Sequence, residues 1–310
     1  PGARTLLDSA LEEATPGEQR NAARGLWVRA AVATGAAELA RTRLDAWLET
    51  DGDVGARDEL VAVALRALRT EGQLEAAAEI ATKWSGVGFE SGMEAALTMR
   101  EAGRGEEAAA VLKAMRPASA EDMLWRDEVY AELLVELGEL DEADGVWDRV
   151  AAANPEAARY GRGHVARLRG DNEAALALFV GATDARASEE RGLALEAMGR
   201  LEEADAAYAT LLESPDPERR TAARVGQARV RLARDDARGA LAVLAKITAV
   251  DPGYALTVAQ LRGDALLALD LVDDARDVYA SLSGDAESRT VRDLGLGECA
   301  LAREKAQDAL

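Results

Sequence analysis

Apolar residues in this sequence recur on a helical period, and a small or polar residue interrupts them at regular intervals. We call these interrupting residues the turn markers: Gly35, Gly72, Gly103, Gly138, Gly170, Gly199, Asp235, Asp270 and, as a weak ninth, Glu304. The first eight recur about every 34 residues, a spacing typical of repeat proteins built from helix pairs. The pattern therefore predicts an all-α chain of helix–turn–helix units with turns at the markers.

The helix after each marker carries a stripe of apolar residues. Alanine stands five residues after every marker, at Ala40, Ala77, Ala108, Ala143, Ala175, Ala204, Ala240, Ala275 and Ala309. Nine residues after the markers come Leu44, Ala81, Leu112, Trp147, Phe179, Tyr208, Leu244 and Tyr279, and the twelfth position is apolar as well. These offsets share one face of an α-helix, so each second helix is predicted to bury this stripe.

The helix before each marker carries a small residue seven positions upstream, at Ala96, Ala131, Gly163, Gly192, Ala228, Gly263 and Gly297. A residue without bulk allows the two helices of a unit to pack closely. The pattern is weaker in two places. Val28 and Leu65 are larger, which predicts a different packing angle in the first two units. Arg231 occupies an expected core position, so the frame over 222–235 is a candidate for a one-residue slip.

Helix-start chemistry separates the units. Asn154-Pro155, Asp251-Pro252 and Asp216-Pro217 each place an Asx residue before a proline, and Thr15 to Glu18 has the spacing of a capping box. No long linker is apparent, so we predict a single domain over 1–310. Within it, 1–15 is an orphan second helix and 288–310 is a partial terminal unit whose second helix begins at 304–310.

These residues resemble the tetratricopeptide repeat family over essentially the whole chain. The small residues Gly163, Gly192 and Gly263, the nine alanines, the aromatic residues Phe179, Tyr208 and Tyr279, and Pro155 and Pro252 match the family's pattern. Most of the family's first-helix tryptophans and tyrosines are missing, which is typical of divergent bacterial repeats. The resemblance implies a right-handed α-α superhelix of about eight units, cut through a repeat at both ends. It also implies a concave groove that is lined by the first helices and binds proteins.

The composition adds constraints on partners. The chain has 310 residues and a net charge of −20, so nucleic acid and anionic membranes are poor partners. No apolar run approaches the ~18 residues of a membrane-spanning helix. Basic residues are mostly arginine, which indicates a GC-rich bacterial genome. The sequence is compatible with a cytoplasmic and with a periplasmic location.

The sequence contains few candidate catalytic residues. The chain has one histidine, His164, and one cysteine, Cys299, which lie far apart in sequence, so neither a metal site nor a nucleophilic dyad can be assembled from them. Acidic pairs such as Glu202 and Glu203 follow the turns, where they suit the start of a helix. We therefore predict no enzyme activity, no cofactor and no metal.

A face of the first helices is enriched in arginine and aromatic residues. Its candidate partner-binding residues are Arg29, Arg66, Arg69, Arg100, Trp125, Tyr160, His164, Arg167 and Arg229. One hypothesis is a scaffold whose groove holds an acidic partner protein or peptide through arginine forks. The other interpretation is that these arginines pair with carboxylates of neighbouring helices.

Two further functional hypotheses stay open from the sequence. The chain could be a structural or sensory segment of a larger, cell-envelope assembly, or it could self-associate through its end faces.

Overall fold

The computed structural model describes residues 2–14, 17–182, 185–248 and 252–308, and these are helical without any strand. The helices are α1 (Gly2–Glu13), α2 (Glu18–Ala33), α3 (Ala37–Thr50), α4 (Val54–Thr70), α5 (Leu74–Trp84), α6 (Phe89–Glu101), α7 (Gly105–Ala114), α8 (Ala120–Glu136), α9 (Leu140–Val150), α10 (Pro155–Leu168), α11 (Asn172–Phe179), α12 (Ala185–Ala197), α13 (Leu201–Leu211), α14 (Pro217–Ala233), α15 (Ala237–Leu244), α16 (Pro252–Ala268), α17 (Val272–Ala280) and α18 (Ala286–Asp308). The even-numbered helices from α2 to α16 are the first helices of eight units. The all-α prediction is confirmed.

The same turn joins the two helices of all eight units. Every marker from Gly35 to Asp270 has a positive φ, between 59° and 83°. In each turn the N–H of the residue after the marker donates to the carbonyl of the residue five positions before that donor, as from Gln73 to Leu68 at 2.8 Å. The N–H of the marker itself donates to the carbonyl three residues before it. This is the Schellman motif, which satisfies the last carbonyls of a helix and favours glycine at the marker.

The frame over 222–235, which the sequence left open to a one-residue slip, keeps the register of the other turns. Asp235 takes a φ of 59°, and Asp236 N–H donates to the Arg231 carbonyl at 2.8 Å, as in the other turns. The neighbouring Val230, 1% exposed, provides the core contact, while Arg231 lies at the surface within 3.5 Å of Asp236. The helix tolerates arginine at this position because the buried face is wide enough to include the adjacent residue.

The predicted stripe of the second helices is buried. The eight alanines five residues after the markers, from Ala40 to Ala275, are at most 2% exposed. The residues nine after the markers, including Trp147, Phe179, Tyr208 and Tyr279, are at most 3% exposed. Burial of this stripe on every unit forms a continuous core within each stack of helices. Ala309 lies outside the described residues.

Glycines on the first helices accept the aromatic rings. The Tyr208 ring lies between Gly192 of its own unit and Gly226 of the next, where a Cβ atom would come within 2.5 Å of the ring. The Tyr279 ring lies in the same way against Gly263 and Gly295, at 2.3 and 2.4 Å. The sequence predicts close packing at Gly192 and Gly263, which lie on the first helix of the same pair as the tyrosine. It does not predict the contacts of Gly226 and Gly295, which lie on the next first helix.

The weak ninth marker is wrong. α18 continues through Glu304 to Asp308 without a turn. Glu304 is neither glycine nor Asx, and the surrounding alanine, leucine, lysine and glutamine residues favour helix, so nothing local interrupts it. Gly297, seven residues upstream, is exposed, with no other atom within 4 Å of the position of a Cβ.

Two of the predicted helix starts are observed. The Asn154 side chain accepts from Ala157 N–H at 3.1 Å, and Asp216 caps α14, which begins at Pro217. The other two depend on Thr15, Pro16 and Asp251, which lie outside the described residues.

The contacts divide the chain into two compact units, Pro1–Gly161 and Arg162–Leu310, here called unit 1 and unit 2. Each of these numbered units contains several of the helix–turn–helix pairs described above. Within each, the contacts given for the described helices join helices one or two apart along the chain. That the whole chain forms one domain stays a prediction.

Candidate functional site

All nine candidate residues lie on first helices. Arg29 is on α2, Arg66 and Arg69 on α4, Arg100 on α6, and Trp125 on α8. Tyr160, His164 and Arg167 are on α10, and Arg229 is on α14. Most of the cationic side chains are already engaged by carboxylates of a neighbouring first helix.

In unit 1, Arg66 and Arg69 hold a buried carboxylate. Glu94 of α6 is 4% exposed, and its oxygens lie 2.7 Å from Arg66 Nη2 and 2.8 Å from Arg69 Nη1. Arg69 also lies 3.2 Å from Glu101. A buried charge of this kind needs its partners, so these two arginines hold α4 and α6 together.

Unit 2 repeats the arrangement at the equivalent positions. Glu190 of α12 is 8% exposed, and its Oε2 lies 2.9 Å from His164 Nδ1 and within hydrogen-bonding distance of Arg167. Burial opposes the charge of Glu190, but the hydrogen bonds from His164 and Arg167 outweigh it and hold the pKa of this carboxyl below its ordinary value. Relative to the turn markers, Glu190 occupies the position of Glu94, and His164 and Arg167 occupy those of Arg66 and Arg69.

Arg229 and Arg100 are paired as well. Arg229 Nε donates to Glu196 Oε2 at 3.0 Å, and its Nη2 donates to the Tyr208 hydroxyl at 3.2 Å. Burial and the nearby Glu196 carboxylate raise the pKa of the Tyr208 hydroxyl far above its ordinary value. Arg100 forms a two-bond contact with Glu136.

The two aromatic candidates differ from the cations. Trp125 is 37% exposed, and its ring meets the edge of Phe89 with the centroids 5.7 Å apart. Tyr160 is half-buried in α10. Both belong to unit 1, but the structure does not place them beside Arg29.

Arg29 is exposed, and among the described residues no carboxylate lies within ion-pair distance of it. Its side chain borders two adjoining depressions of about 300 and 350 Å³ between α2 and α4. We call them together the α2/α4 trough. Its floor is mainly apolar, formed by Gly25, Leu26, Val32, Val63 and Ala67, among others, and the Leu26 side chain is 46% exposed.

Other chemistry is sparse in the part of the chain that the structure describes. No group of three or more His, Cys, Asp or Glu residues there has the arrangement of a metal site. None of the described helices has the length and apolar character needed to cross a membrane. Cys299 is buried, and burial raises the pKa of its thiol.

Sequence reasoning missed the carboxylates that hold the candidate cations. Glu94 and Glu190 each stand nine residues before a marker, where the other helix pairs have Leu26, Val63, Val129, Gly161, Gly226 and Leu261. An acidic residue at a position that is otherwise apolar or glycine was the available signal. Identifying its partners required knowing which faces of successive units meet.

Comparison with known proteins agrees with this architecture. Residues 212–295 match a family model described as a tetratricopeptide repeat-like domain. A tetratricopeptide repeat protein from Parabacteroides merdae superposes with a TM-score of 0.55 at 17% identity, covering 96% of this chain and 99% of that one. The fold is therefore that of tetratricopeptide repeat proteins, and residues 212–295 match the repeat-like family in sequence as well.

The yeast Tom70 structure also resembles this repeat protein, with a TM-score of 0.61 at 14% identity, covering 95% of this chain and 66% of that one. No curated protein matches the chain in sequence. At these identities the structural likeness shows the fold alone.

Proposed function

We propose that this repeat protein is a non-catalytic interaction scaffold that binds a partner protein or peptide on the first-helix face of unit 1. The observation that supports this most directly is the α2/α4 trough, which combines an exposed apolar floor with the uncommitted charge of Arg29. A concave apolar surface with a few well-placed polar groups is the usual form of a binding site.

The partner segment that fits best carries an acidic side chain. The whole chain has a charge of −20, so a uniformly acidic partner is repelled at long range. Arg29 provides a local exception, and its guanidinium can form two parallel hydrogen bonds to one carboxylate. Where the bound segment covers Arg29 and removes it from water, such a charge-assisted contact contributes about 1.5–3 kcal/mol, which is enough to select one acidic residue within an otherwise apolar segment.

The remaining arginines of the candidate face are less suited to a binding test. Reversal of Arg69 or Arg167 to glutamate would place a second carboxylate against buried Glu94 or Glu190. The fold would be destabilised, and lost binding could not be assigned to the surface. Arg29 avoids this difficulty because none of the described carboxylates lies within ion-pair distance of it.

The test is selection of a random peptide library on the wild-type chain, followed by affinity measurements on Arg29→Glu. We expect selected peptides to combine apolar residues with an aspartate or glutamate, and to bind Arg29→Glu at least about tenfold more weakly. The matched control is Arg238→Glu, the same substitution at an exposed arginine of second helix α15 for which, among the described residues, no carboxylate lies within ion-pair distance. Equal binding by wild type and Arg29→Glu would reject the proposed surface.

The remaining alternatives stay predictions: a structural or sensory segment of a larger assembly, and self-association through end faces. That the protein is not an enzyme stays a prediction as well.

A further inference from the structure

We infer that the occupant of the α2/α4 trough is an amphipathic α-helix of the partner, lying along α2 and α4, with an acidic residue at mid-length against Arg29. This inference rests on the proposed function and specifies the partner segment. Three features of the trough support it: its direction, its lack of backbone hydrogen-bonding partners, and the positions of its charges.

The trough runs along the two helices that border it. Its α2 wall extends from Asn21 to Ala33, and its α4 wall from Ala56 to Glu71 at the end of that helix. At about 1.5 Å per residue, the distance from Ala22 to Ala33 is about 16 Å. Arg29 and Val63 border both depressions, so they lie where the two meet. A helix of about three turns covers this length.

The walls favour a segment that satisfies its own backbone. An extended peptide carries one N–H and one C=O per residue that need partners, and a buried one left unpaired costs about 1–3 kcal/mol. The walls are helices whose backbone groups are bonded internally, and between their ends the lining is mostly alanine, glycine, leucine and valine. A helical occupant has no such cost because its backbone groups bond to one another.

The charged and polar residues that line the trough indicate where the bound helix would carry its own polar residues. Arg29 lies at the centre of the trough, while Asn21 and Glu59 line one part and Arg66, Thr70 and Glu71 line the other. Apolar residues at positions i, i+3 or i+4, and i+7 would face the floor. An acidic residue beside this stripe would meet Arg29. A helix of this pattern matches the trough in shape and charge.

The test uses peptides selected from a random library on the full chain, resynthesised with and without a proline at the central position. If the peptide binds as a helix, proline weakens binding at least about tenfold, because it removes a helical hydrogen bond and clashes with the preceding turn. NMR of the isotope-labelled peptide on the chain should show helical backbone shifts over about three turns.

Variants of the trough test whether one occupant spans both depressions. Ala22→Trp and Ala33→Trp obstruct opposite ends at exposed alanines, and Ala10→Trp on α1 is the matched control. We expect both trough variants to weaken binding at least about tenfold and the control to leave it unchanged. Circular dichroism and thermal unfolding check that all three remain folded.

The outcomes separate the two proposals. If the proline-containing peptide binds as well as the original, or if only one of the two tryptophan variants weakens binding, the helical occupant is rejected. The proposed binding surface at Arg29 would still stand. Binding that is insensitive to Arg29→Glu and to both tryptophans would reject the surface and the helix together, and so would failure to select any peptide. Sensitivity to proline, to both tryptophans and to Arg29→Glu supports the inference.

Discussion

At the scale of single residues, the packing depends on glycines at defined positions, where the absence of a side chain leaves room for an aromatic ring. The Tyr208 ring lies where a Cβ atom on Gly192 or Gly226 would come within 2.5 Å of it. A close-packed core of this kind cannot absorb an extra methyl group without moving a ring or a helix. The buried carboxylates show a complementary dependence, since Glu94 and Glu190 are held by cations of the preceding first helix.

The first prediction concerns the aromatic contact. Gly226→Ala should lower the free energy of unfolding by about 1–3 kcal/mol, because the new methyl group overlaps the Tyr208 ring. Urea unfolding measures the change. The matched control is Gly297→Ala, the same substitution on α18, where an added Cβ would meet none of the described residues outside its own helix backbone, and which should be neutral or stabilise by up to about 1 kcal/mol. Equal effects of both substitutions would contradict the packing argument.

The second prediction concerns pH. The pKa of Glu190 is below its ordinary value of 4.5 in the folded chain, so its charge stabilises the fold above that pH. This contribution is lost as the pH falls from about 5 through the folded pKa. Glu190→Gln should therefore be less stable than wild type at pH 7, and the difference should narrow below about pH 5.

Urea unfolding over a pH series measures that difference. Glu203→Gln is the control, because the ion pair of Glu203 with Arg200 is exposed and contributes little. A Glu190 difference that is constant down to pH 3 would show that its charge is not responsible.

At the scale of elements, one turn geometry is repeated eight times with two kinds of residue. Six markers are glycines, for which a positive φ carries no steric cost, whereas Asp235 and Asp270 adopt a φ of 59° with a side chain present. All eight turns nevertheless form the same two hydrogen bonds. The helix pair therefore fixes the turn even where the residue is not the preferred one.

The third prediction follows from this difference. Asp235→Gly should raise the free energy of unfolding by up to about 1 kcal/mol, since glycine relieves the steric cost of the left-handed conformation. The reverse change at an equivalent turn, Gly199→Asp, should lower it by a similar amount. Thermal unfolding of both variants provides the measurement. A stability loss in Asp235→Gly would show that the aspartate side chain itself supports the turn.

At the scale of the whole molecule, stability is distributed through contacts between neighbours. Within each unit the helices contact only those one or two apart along the chain. A repeat array of this kind is expected to open locally, because each helix pair depends only on the pairs beside it. The overall charge of −20 acts at the same scale, since it determines which partners are repelled at a distance.

The fourth prediction tests this local dependence within unit 2. Gly263→Ala would bring a methyl group within 2.3 Å of the Tyr279 ring and should accelerate amide hydrogen exchange in α16, α17 and α18. Exchange in α12 and α13 should be nearly unchanged, because those helices do not contact the altered pair. Hydrogen exchange with mass spectrometry resolves the segments. Uniform acceleration across unit 2 would indicate that it unfolds as one cooperative body.

The sequence by itself determined the helices, their turns and the buried stripe, because each depends on residues close together in the chain. Turn chemistry and the helical period are local, so glycine and Asx markers could be located without the fold. The turn marker at Glu304 was wrong because the pattern was extended there by position alone.

Only the tertiary structure decided which arginines are committed and which is available. Arg66 pairs with Glu94, which is 28 residues away, and that pairing depends on how one helix pair packs against the next within unit 1. Arg29 has the same residue type and the same place in its helix pair, but within the described part of the chain it meets no carboxylate there. Charge neutralisation depends on distances between separate helices, and those distances are fixed by packing.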